Sequence, residues 1–380
     1  ELKALRPGAS VAVAVGSRGI ARLPRIVAAV VAGLRDMGLA PFIVPAMGSH
    51  GGGTAEGQAA LLAKLGVYEA GVGAPVRSSM DTVNLGTVEQ GVDCHLDRNA
   101  AGADGIVIVA RVKQHTSFDA PIESGLCKMV AVGLGKAQGA RNVHVYGRRG
   151  LVEFMPRIAA RSLEKSRFLL GVAVVENAHK EVALVEGVAP RDFAAADQRL
   201  LVLANSFTPR LPFDQMDLLV VQEIGKDISG TGMDNKVVGR QGFRDDPPRR
   251  PFINCTVALR LTPASHGNGN GVGNAEIITR ELANGLDLQA MYFNALTSAC
   301  VARACIPPVL DTELDAIRTG LAICWQPDPA RVRACFVKST AALDRMLVTG
   351  PLLEELRERS LCLDAEEARP LGFTAEGRFQ

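Results

Sequence analysis

Aromatic side chains and long apolar runs are both scarce in this sequence. Phe, Trp and Tyr make up 4% of its 380 residues, so a pocket walled by stacked aromatic rings is not indicated. The most apolar stretch, residues 26–34, is far shorter than the roughly 20 residues that cross a bilayer, and it suits one buried face of a helix. The sequence therefore predicts no membrane-spanning segment, and we also expect no signal peptide.

An excess of charge of one sign and closely spaced cysteine pairs are missing as well. The 42 basic and 40 acidic residues leave a formal charge of +2, which offers no field to attract nucleic acid or an anionic membrane. The 8 cysteines are scattered through apolar segments without a CxxC pair, which indicates reduced core thiols. We therefore expect a cytoplasmic protein that binds neither nucleic acid nor membrane and holds any anionic ligand locally.

Length and composition favour a globular protein of two domains. With 47% hydrophobic residues the chain can bury a sizeable core, and 380 residues exceed what one core usually serves. A proline-rich stretch at 208–212 makes the best boundary, because proline lacks a backbone donor and disfavours helix before it. We predict an N-terminal catalytic and cofactor-binding domain at 1–210 and a C-terminal α/β domain at 213–380. Residues after about 364 have no strong pattern, and a return across the first domain is one course open to them.

Short β-branched runs alternate with helical patterns along the chain, as in β-α-β units packed on a mostly parallel sheet. In the first domain the pattern predicts strands at 11–15, 41–45, 105–112, 168–175 and 182–185 and helices at 20–37, 54–65, 153–165 and 191–205. In the second domain it predicts strands from 218 and at 332–337 and helices at 275–282 and 311–321. The predicted fold class is α/β, with two domains, mostly parallel sheets and an active site in the cleft between them.

Three of the 6 histidines share a setting that points to chemistry: His50, His115 and His144. Each lies in a polar stretch that we place in a loop directly after a predicted strand, where active-site residues of parallel sheets gather. One such histidine by itself is more often structural or solvent-facing than catalytic. The recurrence of the pattern predicts a shared site.

A glycine run and one lysine lie close to these histidines in sequence. Gly51, Gly52 and Gly53 precede a predicted helix, so their backbone amides and the positive helix end suit a phosphate or carboxylate, although an ordinary turn with positive φ reads the same way. Lys128 lies among small and apolar residues, where burial would lower its pKa and make it nucleophilic. A surface lysine is the alternative.

The order and type of these motifs resemble the nickel-dependent lactate racemase family. They read Gly48-Ser49-His50, then His115 followed by Ser124-Gly125-Leu126-Cys127-Lys128, then Asn142-Val143-His144. The resemblance covers most of the first domain. It extends more loosely to segments 223–230 and 292–298 of the second, which look like a shorter branch than the founding lactate enzymes.

The resemblance implies a cofactor and a reaction. Members of the family use nickel held in a pyridinium-derived pincer nucleotide. By the matching positions, Lys128 would tether this nucleotide covalently and His144 would be the nickel ligand. The glycine run, which suits a phosphate, would also contact the nucleotide. His50 and His115 would act as the paired acid and base of a 2-hydroxyacid racemase or epimerase, which passes a hydride from Cα to the cofactor and back. Partners would be a small 2-hydroxy acid and, transiently, the cofactor-biosynthesis proteins.

Two basic residues are candidates for substrate binding. Arg18, at the end of the first strand, can clamp a carboxylate with two hydrogen bonds, or it can face a phosphate or a surface carboxylate. Lys226 follows the first strand of the second domain and would face substrate or cofactor. The loop from His115 to Lys128 is longer than in the founding lactate enzymes, which leaves room for acids larger than lactate.

Two other functions stay open at this stage. The three histidines could instead bind zinc in a lyase or hydrolase, or the fold could serve a non-catalytic protein that binds a hydroxy acid or a nucleotide. Metal content distinguishes the zinc enzyme from the racemase, because the first would contain zinc and the second nickel. The sequence does not choose between racemase and epimerase, and it does not determine the oligomeric state.

Overall fold

The computed structural model describes residues 4–17, 19–88, 91–243, 246–297, 300–361 and 364–380. The chain divides into two compact units, Glu1–Thr208 and Pro209–Gln380. The division falls inside the proline-rich stretch 208–212, where the last helix of the first unit has ended and the first strand of the second has not begun. Both units are mixed α/β structures with mostly parallel sheets, which confirms the predicted α/β class and the predicted parallel sheets.

The first unit is built on a sheet whose described strands run in the order β2-β1-β5-β6-β7, beside a separate β3-β4 hairpin. Within this order the neighbours β2, β1, β5 and β6 are parallel, and β7 is antiparallel to β6. The strands are β1 (Ser10–Val15), β2 (Ala40–Pro45), β3 (Thr82–Val88), β4 (Val92–Asp97), β5 (Gly105–Arg111), β6 (Phe168–Glu176) and β7 (Val182–Val188). The five strands predicted from apolar spacing in this unit are confirmed. The hairpin was not predicted: β3 has no buried residue, and the alternation of Val92, Cys94 and Leu96, which buries one face of β4, was missed.

Helices connect these strands. They are α1 (Leu23–Asp36), α2 (Ala55–Lys64), α3 (Glu69–Val72), α4 (Arg98–Ala101), α5 (Leu126–Lys128), α6 (Lys136–His144), α7 (Gly147–Arg149), α8 (Met155–Lys165) and α9 (Phe193–Ser206). Helix α1 buries Leu23, Val27, Val31 and Leu34, whose spacing of three or four residues places them on one face against the sheet. The apolar stretch at 26–34 thus lies within this helix and supplies three of the four residues of its buried face.

The second unit contains a sheet whose described strands run in the order β11-β10-β9-β8-β12-β13. They are β8 (Gln215–Ile224), β9 (Phe252–Leu261), β10 (Ile277–Thr279), β11 (Val309–Leu310), β12 (Ala334–Ser339) and β13 (Ala342–Val348). Its helices are α10 (Arg280–Asn284), α11 (Leu288–Thr297), α12 (Glu313–Ile323) and α13 (Gly350–Glu358). The helix predicted at 275–282 is wrong in its first half, because the β-branched run Ile277–Thr279 forms β10 and pairs in parallel with β9.

The end of the chain packs on the second unit. Arg260 on β9 donates to both carboxylate oxygens of Glu313 on α12, at 2.6 and 2.7 Å, and Glu313 in turn accepts from the backbone N–H of Phe379 at 2.6 Å. The ring of Phe379 lies 5.5 Å from that of Phe336 on β12. Phe379 is therefore part of the hydrophobic core of the second unit. Across the described residues, no helix has the length and apolar character that a bilayer crossing requires.

Phe379→Ala tests how far this tail holds the second unit together. Because the side chain is only 4% exposed, we expect its loss to destabilise the unit by about 3 kcal/mol, the usual cost of removing a buried ring. The change in unfolding free energy is measured by urea unfolding, with hydrogen exchange in β12 peptides as the probe. Leu371→Ala, a 38% exposed position on the same tail, is the control and should change little. Equal losses in the two variants would show that the tail is not part of the core.

Candidate active site

The loops that follow β1, β2 and β5 meet at one edge of the first sheet, because these parallel strands are neighbours in the order β2-β1-β5. The loop after β2 carries His50, and the loop after β5 carries His115. Arg18 belongs to the loop after β1, but it lies outside the described residues. The sheet topology thus gathers two of the three predicted histidines at the edge where sites of this fold class form.

His50 is exposed, and its ring contacts the β1 loop through Nδ1 and the Oγ of Ser17. Its backbone is held from below by Gln58, a fully buried residue of α2. The Nε2 of Gln58 donates to the carbonyl oxygen of Gly48 at 2.9 Å and to that of His50 at 3.2 Å. A buried amide therefore fixes the loop from which the imidazole projects.

The glycine run Gly51–Gly53 forms a single 3-10 turn between His50 and α2. All three glycines have positive φ, at 67°, 68° and 66°, a conformation that other residues rarely adopt. At Gly51 a Cβ would also lie 2.7 Å from the backbone nitrogen of Gln58, whereas Gly52 and Gly53 have open space around that position. Thr54 then begins α2 as predicted, its Oγ1 accepting from the N–H of Gly57 at 3.0 Å.

His115 is held by a loop that closes around one buried carboxylate. Glu123, 3% exposed, accepts from the backbone N–H of His115 at 2.6 Å and from that of Ala120 at 3.3 Å. The Nδ1 of His115 accepts from the N–H of Ser117 at 3.1 Å, and its ring lies 4.5 Å from that of Phe118. With Nδ1 accepting, the neutral ring carries its proton on Nε2.

Lys128 ends the short helix α5, whose start is held by Asp197 on α9. The carboxylate of Asp197 accepts from the N–H groups of Leu126 and Cys127, at 2.9 and 2.8 Å. Gly125 is required beside it, since φ is 105° and a Cβ would lie 2.1 Å from the carboxylate. Asp197 is fully buried, and burial raises its pKa from the ordinary 3.8 to about 6 against the opposing effect of those two hydrogen bonds.

His144 is the last residue of helix α6, so the prediction that it follows a strand in a loop is wrong. The Asn-x-His motif is the end of this helix, where Asn142 donates to the carbonyl oxygen of Asp93 at 3.0 Å. Burial, and then the nearby charge of Lys128, lower the pKa of His144 to about 4. The structure thus brings Lys128 and His144 within electrostatic reach, and the imidazole is neutral at pH 7 with a lone pair available to a metal.

The second unit places Lys226 in a polar cluster of its own. The Nζ of Lys226 donates to the carbonyl oxygen of Gly230 at 2.6 Å and to Oδ1 of Asn294 at 3.0 Å, and Asn270 donates to the same Oδ1 at 3.0 Å. Asn270 is 2% exposed, and its own Oδ1 has no hydrogen-bond partner. The next residue, Asp227, accepts from the hydroxyl of Thr262 at 2.5 Å, which is the common use of an aspartate in a turn.

Sequence reasoning missed the side chains that hold these loops: Gln58, Glu123 and Asp197. Each is buried and bonded to the backbone of a loop that carries a predicted site residue. The available signal was a polar residue at a position where helical spacing or an apolar neighbourhood predicts burial. Over the described ranges, no three His, Cys, Asp or Glu side chains are grouped closely enough to hold a metal ion, so His50, His115 and His144 do not form a ready zinc site there.

Comparison with known proteins supports the same class of α/β fold. No protein-family model and no curated protein matches the chain. Among solved structures, it is similar to a Thermotoga maritima protein at 14% identity, with 80% of each chain covered and a TM-score of 0.53. It is also similar to the lactate racemase apoprotein from Thermoanaerobacterium thermosaccharolyticum at 12% identity, covering 90% of this chain and 88% of that one, with a TM-score of 0.51. The chain therefore has a lactate racemase-like fold.

Asp197→Asn tests the buried carboxylate under α5. Because the folded-state pKa is raised to about 6, the folded protein binds a proton more tightly than the unfolded chain. This contribution is complete below pH 3.8 and is lost as the pH rises through 6. Wild-type protein should lose about 1 kcal/mol of unfolding free energy from this group between pH 5 and 8. In urea unfolding at the two pH values, the variant should lack that dependence, whereas Asp192→Asn, at an exposed position before the same helix, should keep it.

Proposed function

We propose that this protein is a nickel-pincer-dependent racemase or epimerase of a 2-hydroxy acid. The observation that carries the proposal is that Lys128 lies near His144, whose pKa is lowered to about 4, in a chain whose fold is similar to that of a lactate racemase apoprotein. The motifs that resemble the nickel-dependent family supply these two residues and the two histidines of the sheet edge. An isomerase follows as the class of enzyme.

The residues present fit the cofactor. A nickel ion in a pincer with soft sulfur and carbon ligands accepts an imidazole as a further donor, and His144 offers one that burial keeps unprotonated. Lys128 lies near it, so one amine and one metal ligand are available together for the two ends of such a group. The glycines of the turn would contact the phosphate, since Gly52 and Gly53 leave open space at their backbone.

When bound, the nucleotide supplies a hydride acceptor, which lets the hydrogen on Cα leave without forming a dianion beside the carboxylate. The chain's own task is to move the hydroxyl proton. Ser17 can donate to Nδ1 of His50 or accept from it, so His50 can present a lone pair on Nε2 and take that proton. To act as the acid, His115 would carry protons on both ring nitrogens and give the one on Nε2 to the oxygen of the 2-keto acid, which leaves a neutral ring with its proton on Nδ1. That form gives up the contact of Nδ1 with the N–H of Ser117, because a protonated nitrogen cannot accept. The reverse reaction exchanges the roles of His50 and His115.

Two cationic side chains are proposed to bind the substrate carboxylate. Lys226 keeps its ammonium in a polar cluster with Asn294, which restricts its position and makes it suitable for orienting an anion. Arg18 would provide a bidentate contact from the loop after β1.

The experiment that tests the function is a stereochemical screen of 2-hydroxy acids, from lactate to dicarboxylic, aromatic and sugar acids. The protein for it should be produced together with the cofactor-synthesis enzymes.

His50→Ala and His115→Ala test the acid and base roles. Each should lower kcat at least about 100-fold, because a positioned proton-transfer group contributes that much or more. Bound nickel and cofactor mass should stay the same, because neither residue is proposed to hold the cofactor. During wild-type turnover in D₂O, NMR should show no deuterium at Cα of the product. Rapid wash-in at Cα would instead mean direct proton abstraction and would rule out hydride transfer.

Lys128→Ala and His144→Ala separate the tether from the metal ligand. Intact-protein mass spectrometry of loaded wild-type protein should show an adduct that maps to Lys128 and is absent from Lys128→Ala. His144→Ala should keep the adduct mass and lose most of its nickel, because an imidazole ligand has been removed. His179→Ala, in the exposed turn between β6 and β7, is the matched control and should keep both. Nickel retained in His144→Ala would reassign the metal to another residue.

A further inference from the structure

A fully buried lysine lies beneath the loop that carries His50. Lys136, the first residue of α6, is 0% exposed. Its ammonium reaches the carbonyl oxygen of Pro45, at the end of β2, the Oε1 of Gln58 at 3.0 Å, and the Oδ2 of Asp97 at 3.1 Å. The ammonium, which can only donate, therefore has two hydrogen-bond acceptors and one carboxylate in ion-pair contact around it.

This ammonium decides which way the Gln58 carboxamide faces. Because Lys136 can only donate, the oxygen end of the amide must point toward it. The NH₂ end then points the other way, where it donates to the carbonyl oxygens of Gly48 and His50. With the amide reversed, two donors would face each other at Lys136 and two acceptors would face each other at the loop. The orientation of Gln58 thus links the buried charge to the backbone of His50.

The arrangement is costly, which argues that it serves more than packing. Burial raises the pKa of Asp97 and lowers the pKa of Lys136, although the attraction between the two groups opposes both shifts. Lys136 also has a φ of 55°, in the left-handed region that side-chain-bearing residues rarely adopt. Buried ion pairs are often no more stabilising than apolar residues of the same size, and one attested use of them is to specify a single arrangement.

We propose that Lys136 is a positioning residue for His50, acting through Gln58. It fixes the direction of the Gln58 amide, which holds the Gly48 and His50 carbonyls and keeps the imidazole against Ser17. The effect on His50 stands by itself, and only its catalytic consequence rests on the proposed racemase function. Asp97 balances the charge of the lysine and also caps α4, its Oδ1 accepting from the N–H of Ala100 at 2.9 Å.

The variants are chosen to keep the fold while breaking the link. Lys136→Met combined with Asp97→Asn removes both buried charges at similar volume, and the asparagine oxygen can keep the cap of α4. Gln58→Met removes only the amide. Gln58→Glu combined with Asp97→Asn leaves the ammonium with a carboxylate partner but removes the donor to the loop, so it gives the same test if the first pair does not fold. Asp197→Asn neutralises a different buried carboxylate, under α5, and is the control for that kind of change.

The readout is the ring-nitrogen spectrum of His50 in ¹⁵N-histidine-labelled apoprotein, assigned by the peaks that disappear in His50→Ala. Wild-type protein should show one dominant tautomer of His50. Lys136→Met/Asp97→Asn, Gln58→Met and Gln58→Glu/Asp97→Asn should each shift it toward an average of two tautomers, while the His115 signals stay in place. Adding Gln58→Met to the Lys136→Met/Asp97→Asn pair should produce no further change, because both act on one link. An unchanged His50 spectrum, or additive changes, would overturn the proposal.

Turnover supplies a second readout. In loaded enzyme these variants should lower kcat about 10- to 100-fold with KM nearly unchanged, since a small misplacement of a reacting group has effects of that size. A role confined to stability would lower the melting temperature and leave kcat of the folded fraction as it was, which would also contradict the proposal. If no 2-hydroxy acid is turned over at all, the proposed function fails, and the His50 spectra of the apoprotein still decide whether Lys136 positions that residue.

Discussion

Backbone groups in loops at strand ends need hydrogen-bond partners, and in the first unit buried polar side chains provide them. Gln58 holds the turn before α2, Glu123 holds the loop after β5, and Asp197 holds the start of α5. Each loop carries one residue of the candidate site. The positions of the imidazoles and of Lys128 therefore depend on side chains that lie inside the protein and do not take part in the chemistry.

Burial of polar side chains also explains the shifted pKa values in this unit. Asp197 has a raised pKa because burial outweighs two backbone hydrogen bonds, and Asp97 is raised although a lysine lies beside it. His144 is shifted the other way, since burial and the charge of Lys128 both disfavour its protonated form. A neutral imidazole suits a metal ligand and a protonated one does not. Hydrogen bonds to buried side chains thus hold the loops, while desolvation shifts these pKa values and disfavours the protonated form of His144.

The second unit also holds a candidate site residue with side-chain amides, as Gln58 holds the loop of His50 in the first unit. Asn294 accepts from Lys226 and from Asn270, so the lysine has a fixed partner inside its own unit. Asn270 keeps an unpartnered oxygen in a buried position, which is uncommon because such groups are normally satisfied.

The sequence by itself determined the fold class and the strands of the first sheet, because a strand of β-branched residues and a helix with an apolar face are local patterns. Its motifs also indicated His50, His115 and Lys128 as candidate site residues. It placed His144 after a strand, where the structure has the end of a helix, and it assigned Ile277 to a helix where the structure has a strand.

Only the tertiary structure decided which side chains support the site. Lys136 and Gln58 are 78 residues apart in sequence and meet because α2 and the start of α6 pack beside the end of β2. Asp197 is 71 residues from the backbone amide that it accepts from. A buried lysine and a surface lysine look the same in a single sequence, since what separates them is the set of acceptors that other segments bring to the ammonium after folding.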